Sequence, residues 1–159
     1  MKKKILLVDD DPSVRRMLQR VLEEEDYFVV SAANGLEAVE YAQAGSPDLA
    51  LLDLSLPVQD GWDTLRRLAA GGPLLPVIII TARPNQLFLA LARGADALME
   101  KPLDLPKLLR TIRDLLAEPT EGRMARLAGK RGEFHYLPPR GRQSQAEREE
   151  RNVGNSGRH

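Results

Sequence analysis

Near its amino terminus the chain reads Ile5-Leu6-Leu7-Val8-Asp9-Asp10-Asp11-Pro12. Four apolar residues in a row are typical of a strand that is buried on both faces of a sheet. Three carboxylates follow at once, and Asp11 with Pro12 supplies a helix N-cap and a first-turn proline. This stretch therefore predicts a buried strand, an acidic loop and a helix, and it sets the pattern for the residues that follow.

The same alternation of strand and helix occurs five times along the chain. The other predicted strands are short runs rich in β-branched residues and leucine, at residues 28–30, 49–52, 77–80 and 97–99. Segments with helical spacing follow the strands and begin at Pro12, Asn34, Asp60, Pro84 and Asp104. Alternating elements of this size imply right-handed crossovers and a parallel sheet with helices on both faces. The predicted fold class is therefore α/β, a doubly wound three-layer sandwich.

The composition restricts the classes of function. The chain has 159 residues, 43% hydrophobic and 29% charged, which suits one soluble domain with a modest appendage. It contains no cysteine, which excludes disulfides, thiolate metal sites and cysteine nucleophiles. The formal net charge is zero, so we expect no overall attraction to nucleic acid or membrane. No apolar run approaches the roughly 20 residues of a membrane-spanning helix, and we expect a cytoplasmic protein.

Polar side chains follow four of the five predicted strands, at the point where each strand ends. They are Asp9, Asp10, Asp11, Asp53, Thr81 and Lys101. In doubly wound sheets the carboxyl ends of the strands meet at one edge, where ligands bind. Converging carboxylates repel one another unless a cation compensates, and Mg²⁺ takes one or two carboxylates while leaving room for phosphoryl oxygens. Since lysine and threonine bind phosphoryl groups, these residues predict a phosphate site with Asp53 as the covalent acceptor.

The chain resembles the receiver domains of bacterial two-component response regulators. Six motifs occur in family order: residues 5–12, Leu51-Leu52-Asp53-Leu54-Ser55-Leu56-Pro57, Asp60-Gly61, Thr81-Ala82, Gly94-Ala95 and Lys101-Pro102. The resemblance covers roughly residues 1–117, about three quarters of the chain. It implies a flavodoxin-like (βα)5 fold with the strand order 2-1-3-4-5.

The resemblance also implies a chemistry and its partners. Asp53 would take the phosphoryl group from a histidine kinase or phosphotransfer protein, with Thr81 and Lys101 assisting. For Mg²⁺, the implied direct ligands are Asp10, Asp53 and the Ser55 carbonyl, with Asp9 acting through water. We expect no enzyme activity beyond the chain's own phosphorylation and dephosphorylation. The Lys101-Pro102 bond resembles the cis peptide of the family.

Three positions depart from the family pattern or modulate it. Leu98 stands where many receivers carry an aromatic residue that moves with the threonine, so we expect an altered conformational switch. Ser55 and Arg83 each stand two positions after a central site residue, where family side chains modulate attack by water on the acyl phosphate. The segment from Thr81 to Gly94 is also about two residues shorter than is usual in the family, which predicts a tighter loop.

The fourth helix, predicted over residues 84–93, carries more apolar residues than one face can hold. At 100° per residue they spread around most of the helix, so some must be exposed. Counting back from Gly94 predicts Phe88 and Leu91 in the core, and Leu87 and Leu89 as a solvent-facing patch for docking or homodimerisation. Trp62 is predicted to be a partly exposed helix residue.

Residues 119–159 form a second kind of segment. Residues 1–118 carry 14 basic and 18 acidic residues, whereas the tail carries 9 basic and 5 acidic ones and is poor in β-branched residues. We therefore divide the chain into a receiver domain, 1–118, and a basic, flexible tail, 119–159. Within the tail, residues 121–127 could form a short helix and residues 134–139 an apolar island. The alternative is a tail that docks on a partner, on its own receiver face or on nucleic acid.

Taken together, these features favour a single-domain response regulator whose phosphorylation switches interactions with another, unknown protein. Two alternatives stay open: a DNA-binding or transcription-complex regulator that uses the basic tail, and a pseudo-receiver that signals without phosphate. Intact acidic residues, Thr81 and Lys101 disfavour the pseudo-receiver. A phosphatase of the haloacid dehalogenase type is disfavoured because Ser55 replaces its second acid.

Overall fold

A six-stranded parallel sheet forms the centre of the molecule, in a computed structural model that describes residues 2–56, 60–72, 74–128 and 134–141. The strands are β1 Lys4–Val8, β2 Phe28–Ala32, β3 Leu49–Asp53, β4 Val77–Thr81, β5 Ala97–Glu100 and β6 His135–Leu137. The helices are α1 Pro12–Glu24, α2 Gly35–Gly45, α3 Gly61–Gly71, α4 Leu87–Ala92, α5 Leu105–Ala117 and α6 Thr120–Leu127. The strand order is β2-β1-β3-β4-β5-β6, which confirms the predicted order of the first five and the flavodoxin-like doubly wound fold.

Helices α1 and α2 begin where the capping residues in the sequence place them. Asp11 accepts a hydrogen bond from the Ser13 N–H at 2.8 Å, and Pro12 opens α1. Asn34 accepts the Glu37 N–H at 2.9 Å at the start of α2. Because these side chains satisfy backbone donors that the first helical turn leaves open, each loop leaves its strand in a fixed direction. The loops at the carboxyl edge of the sheet are therefore anchored at their helical ends.

The core consists of two apolar layers, one on each face of the sheet. One layer joins the sheet to α1 and α5 through Leu18, Leu22, Leu108, Ile112 and Leu115. The other joins it to α2, α3 and α4 through Ala38, Trp62, Leu65, Leu68 and Ala90. The middle strands β3 and β4 are buried along their whole length, which is why their sequences are continuously apolar.

The prediction that Trp62 is partly exposed was wrong, because only 6% of it is accessible. Gly61 packs against the backbone of Leu54, so the first turn of α3 lies directly on the sheet. The indole is carried into the core with that turn, and the Arg93 guanidinium lies 5.4 Å from its ring centroid. The turn residues before Trp62 gave no signal of this close approach.

Helix α4 is shorter than predicted and rotated about its axis. It spans Leu87–Ala92, and Ala90 is its buried residue. Leu87 and Leu89 are exposed as predicted, but Phe88 and Leu91 were wrongly placed in the core, being 79% and 50% exposed. With Ala90 facing the sheet, Phe88 lies about 200° away around the helix. The small residue, rather than the large ones, decides which face of α4 packs.

Two segments of the tail are folded onto the domain. Residues 121–127 were predicted as a short helix, which α6 confirms, and β6 pairs in parallel with β5. The structure places residues 119–128 and 134–141 in contact with the receiver domain, the arrangement that the alternative of a tail on its own receiver face describes, whereas the flexibility of the tail stays a prediction. Residues 142–159 lie outside the described part of the chain. Across the described ranges, no helix has the length and apolarity needed to cross a bilayer.

Candidate functional site

Four adjacent strands bring the predicted site residues to one edge of the sheet. Asp53 is the last residue of β3 and Thr81 the last of β4, while Asp9 and Lys101 directly follow β1 and β5. These strands are neighbours in the order β1-β3-β4-β5. The edge also includes the position between β1 and β3 where the strand order reverses, the usual ligand-binding position of such sheets.

Three carboxylates share a small volume at this edge. Asp9, Asp10 and Asp53 each offer an oxygen, and these oxygens all lie within 4.8 Å of one another. Asp9 is 1% exposed and Asp53 is 3% exposed, whereas Asp10 faces solvent. Burial weakens the screening of like charges, so the three carboxylates repel one another more strongly than they would on the surface. The cluster therefore has a deficit of positive charge.

Backbone hydrogen bonds fix the orientation of the two buried carboxylates. Ser55 N–H donates to Asp53 Oδ1 at 2.9 Å, and Asp11 N–H donates to Asp9 Oδ1 at 2.9 Å. Each bond binds one oxygen, so the Oδ2 atoms are the oxygens that Lys101 approaches. The Arg15 guanidinium donates to the Asp9 carbonyl at 2.6 Å and ties α1 to this loop. The carboxylates are preorganised rather than free to rotate.

Lys101 supplies the positive charge that faces the cluster. Its Nζ lies 3.2 Å from Asp53 Oδ2 and 3.6 Å from Asp9 Oδ2. Burial by itself would lower the pKa of Lys101, but the carboxylates of Asp53 and Asp9 outweigh it and raise that pKa. The ammonium therefore stays protonated at neutral pH. Among the described residues, Lys101 is the cation that ion-pairs with Asp9 and Asp53, so one positive charge faces a cluster of three carboxylates.

Asp9 carries the clearest sign of a missing ligand. Burial raises its pKa, the hydrogen bond from Asp11 opposes that rise, and the neighbouring charge of Asp53 adds to it. Its Oδ2 is buried and, within the described ranges, accepts no hydrogen bond. A buried oxygen left in this state costs free energy unless a ligand binds it. Hard carboxylate oxygens arranged this way suit a small divalent cation such as Mg²⁺.

The remaining predicted residues divide between the site and its surroundings. Thr81 is fully buried, and its Oγ1 accepts the Arg83 N–H at 2.9 Å. Arg83 and Ser55 are exposed beside the site, whereas Leu98 is buried in the core layer of α2, α3 and α4. The Lys101-Pro102 bond is cis, as the resemblance implied. Leu87 and Leu89 lie on α4, away from the carboxylate cluster.

Gly61, of the Asp60-Gly61 motif, also belongs to the site, because its backbone packs against the residues at the end of β3. A Cβ added there would lie 2.5 Å from Leu54 Cα and 2.8 Å from the Asp53 carbonyl oxygen. Only glycine therefore allows the start of α3 to pack against the residue that follows Asp53. The signal was present in the Asp60-Gly61 pair, but nothing local to the sequence shows which backbone the glycine approaches.

Two tail residues also contact the loop that carries Lys101. The Tyr136 hydroxyl donates to Glu100 Oε1 at 2.7 Å, and the Arg140 N–H donates to the Pro102 carbonyl at 2.9 Å. No sequence pattern indicated these contacts, since they depend on where β6 pairs. Beside them, a groove of about 560 Å³ lies between α1 and the loop from β5 to α5, and Val14, Met17, Lys101 and Arg140 contribute to its wall.

Comparison with known proteins identifies relatives of this chain. The family model for the response regulator receiver domain matches residues 5–113. Response regulator MprA of Mycobacterium ulcerans (strain Agy99) is 39% identical over 118 residues, 73% of this chain and 51% of the relative. MprA of Mycobacterium leprae (strain TN) is 40% identical over 115 residues, 71% of this chain and 50% of the relative. The chain thus spans about half the length of these curated relatives.

Solved structures show the same architecture. A CheY-like response regulator receiver domain protein from Methanospirillum hungatei JF-1 is 32% identical with a TM-score of 0.71, covering 76% of this chain and 98% of the other. The BeF3-activated N-terminal receiver domain of Klebsiella pneumoniae RstA is 31% identical with a TM-score of 0.68. The match covers 73% of this chain and 100% of that domain. The family match ends at residue 113, before α6 and β6.

Proposed function

The chain belongs to the response regulator receiver domain family, and on that premise we propose that Asp53 accepts a phosphoryl group from the phosphohistidine of a histidine kinase or phosphotransfer protein. The observation that carries the proposal is the buried carboxylate cluster, in which Lys101 Nζ lies 3.2 Å from Asp53 Oδ2. Asp53 ends a central strand, is held by the Ser55 N–H and faces a cation. It has the position and the fixed orientation of a nucleophile.

The transfer requires little chemistry from the protein beyond alignment and charge compensation. A carboxylate oxygen of Asp53 forms a bond to phosphorus while the phosphorus–nitrogen bond of the donor breaks, and the electron pair of that bond returns to the imidazole. No general base is needed because a carboxylate oxygen attacks without losing a proton. Lys101 offsets the negative charge on the phosphoryl oxygens, and Thr81 can donate its hydroxyl to one of them.

We further propose that the site holds Mg²⁺. Asp9, Asp10 and Asp53 would bind it, together with the Ser55 carbonyl, and Asp9 would act through water. The bound ion supplies electrostatic neutralisation of phosphoryl oxygens. The fit rests on the convergence of the three carboxylates and on the buried Asp9 Oδ2 that lacks a donor within the described residues.

The output is proposed to be a change in protein interactions. Thr81 lies next to the acceptor and its Oγ1 is bonded to the Arg83 N–H, so movement of Thr81 toward a phosphoryl group changes the loop that leads to α4. Leu98 repacks without the ring that many receivers carry, and Ser55 and Arg83 influence water attack on the acyl phosphate. The exposed Leu87 and Leu89 on α4 are the proposed docking or homodimerisation patch.

The proposal also covers where the protein acts and which reactions its site carries out. We propose that the receiver domain acts in the cytoplasm and that the chemistry of its site is its own phosphorylation and dephosphorylation. The nucleic-acid alternative cannot use Arg123, because its guanidinium is buried against Asp96. The pseudo-receiver alternative is disfavoured by the presence of every charged group that the transfer needs.

The proposal is tested by incubating the protein with acetyl phosphate and Mg²⁺ and locating the added phosphoryl group by mass spectrometry. We expect one phosphoryl group on Asp53 and none in the Asp53→Asn variant, because an amide is not a nucleophile toward phosphorus. Asp60→Asn is the control, since this exposed carboxyl follows the same strand and makes no side-chain cap bond. Undiminished labelling of Asp53→Asn would reject the assignment.

A further inference from the structure

The tail holds the residues on both sides of Lys101. Tyr136, within β6, donates its hydroxyl to the side chain of Glu100 at 2.7 Å. Arg140 donates its backbone N–H to the carbonyl of Pro102 at 2.9 Å. Glu100 and Pro102 are the two chain neighbours of Lys101, so these contacts bracket the residue whose ammonium faces Asp53.

The position of the Lys101 ammonium depends on this backbone. A lysine side chain has four rotatable bonds, and holding its end in one place costs conformational entropy. Its backbone is fixed on the sheet side by the Lys101 N–H, which donates to the Thr81 carbonyl at 2.8 Å. The tail fixes the outer side of the same segment. Without the contacts from Tyr136 and Arg140, the Lys101 backbone would move more, and its Nζ would spend less time close to Asp53.

The tail segment is a built element rather than an incidental contact. Its strand pairs with β5 over three residues, and Leu137 is buried in the core layer of α1 and α5. Its upstream helix α6 is anchored by the Arg123 guanidinium, which is 6% exposed and bonded to both Asp96 oxygens at 2.6 and 3.3 Å. These interactions place residues 134–141 on β5 independently of the two contacts that bracket Lys101.

We propose that this segment positions Lys101 for phosphoryl transfer, with Tyr136 as a positioning residue that acts through Glu100. The inference rests on the proposed transfer to Asp53. It implies that a docked tail keeps the ammonium where charge develops on the phosphoryl group. A docked tail that holds the ammonium in place also favours binding of a phosphoryl mimic such as beryllofluoride at Asp53, and because coupling between two binding equilibria is reciprocal, that binding stabilises the docked tail.

The kinetic test uses the full chain and acetyl phosphate with Mg²⁺. Tyr136→Phe removes the hydroxyl and keeps the ring, and Tyr41→Phe on α2 is the matched control, a tyrosine of similar exposure, 39% against 44%. We expect the maximal phosphorylation rate of Tyr136→Phe to fall about three- to fivefold, as loss of one solvent-accessible hydrogen bond to a charged group allows. The half-saturating acetyl phosphate concentration and the rate of Tyr41→Phe should stay unchanged.

A double-mutant cycle separates positioning from a general structural effect. Tyr136→Phe and Glu100→Ala each remove the same bond, so we expect the double variant to be no slower than the slower single variant. Additive losses, or a change in half-saturation with an unchanged maximal rate, would overturn the positioning role. Far-UV circular dichroism and the fluorescence of the single tryptophan, Trp62, check that each variant is folded.

A second measurement on the unaltered protein keeps the inference falsifiable if a variant fails to fold. We expect hydrogen exchange at the amides of His135 and Arg140 to slow about three- to fivefold when Mg²⁺ and beryllofluoride are added, as reciprocity requires. Unchanged or faster exchange would contradict the coupling. If the wild type takes up no phosphoryl group, the proposed function fails as well. If it does and Tyr136→Phe matches Tyr41→Phe, only this inference fails.

Discussion

Two buried ion pairs lie at opposite edges of the same sheet, and they differ in how completely their charges are compensated. At the amino-terminal edge, Asp96 Oδ1 accepts from Arg123 at 2.6 Å and Asp96 Oδ2 accepts the Val77 N–H at 2.7 Å. One carboxylate faces one guanidinium there. At the carboxyl-terminal edge, Asp53 and Asp9 share the ammonium of Lys101, and Asp10 adds a third carboxylate.

The difference shows how burial can be used for structure or for binding. A buried carboxylate whose oxygens are all bonded holds two elements together, in this case α6 and the start of β5. A buried cluster with too little positive charge loses stability in the absence of a ligand and gains it when a cation or phosphoryl group binds. The charges of Asp96 and Arg123 balance at the amino-terminal edge, although the buried Arg123 Nε has no hydrogen-bond partner among the described residues, whereas the carboxyl-terminal cluster carries an excess of negative charge.

The largest expected change in the free energy of unfolding comes from breaking the ion pair between Arg123 and Asp96. Arg123→Met should lower the free energy of unfolding by about 3 kcal/mol, because it leaves the Asp96 carboxylate buried without its cation. Chemical denaturation followed by circular dichroism measures the change. The double variant Asp96→Asn with Arg123→Met should recover part of the loss, since no buried charge then remains.

The matched control for that pair is an arginine in a surface ion pair. Arg20 lies 3.4 Å from Glu24 with most of both side chains in solvent. Arg20→Met should change the free energy of unfolding by no more than about 0.5 kcal/mol. If Arg20→Met and Arg123→Met had equal effects, the amino-terminal edge would not be the structural pair described above.

A second comparison uses the two ends of α3, which lie toward the two edges of the sheet. Gly61→Ala places a methyl group 2.5 Å from Leu54 Cα, a backbone atom that cannot yield without moving the Asp53 loop. We expect a loss of about 2 kcal/mol in the free energy of unfolding and slower labelling of Asp53. At the other end, no atom of the described residues lies within 4 Å of a Cβ added to Gly71. Gly71→Ala should therefore be neutral or stabilising by up to about 1 kcal/mol. Equal losses at both glycines would remove the special role of the Asp53 end.

A smaller effect, an increase in the free energy of unfolding, is expected from a substitution at the carboxyl-terminal edge. Burial, with help from Asp53, raises the pKa of Asp9 in the folded protein, so this group stabilises the fold most below its ordinary pKa of 3.8. That contribution is lost as pH rises through the folded-state pKa. At neutral pH without divalent cations, Asp9→Asn should raise the free energy of unfolding by about 1 kcal/mol. The gain should shrink as the pH is lowered toward 4, and a loss of stability at neutral pH would show that the cluster is not short of positive charge.

The sequence pattern predicted the sheet and the convergence of Asp9, Asp53, Thr81 and Lys101, because strands of continuous apolar residues end in these side chains. The order of the first five strands came from the family resemblance. It did not predict β6. A three-residue strand between glycine-containing and proline-containing segments has no periodicity to detect, and it pairs with β5, which lies far away in the sequence. The orientation of α4 was missed for a related reason, since the packing of Ala90 outweighs the larger Phe88.

The deficit of positive charge at the carboxyl edge is tested most directly by denaturing the full chain at increasing Mg²⁺ concentration, with KCl at matched ionic strength as the control. We predict that Mg²⁺ raises the free energy of unfolding, by about 1.4 kcal/mol at ten times the dissociation constant, and that KCl does not. The double variant Asp10→Asn with Asp53→Asn should lose this response. An unfolding free energy that is independent of Mg²⁺ in the wild type, or an equal rise in the double variant, would contradict the account.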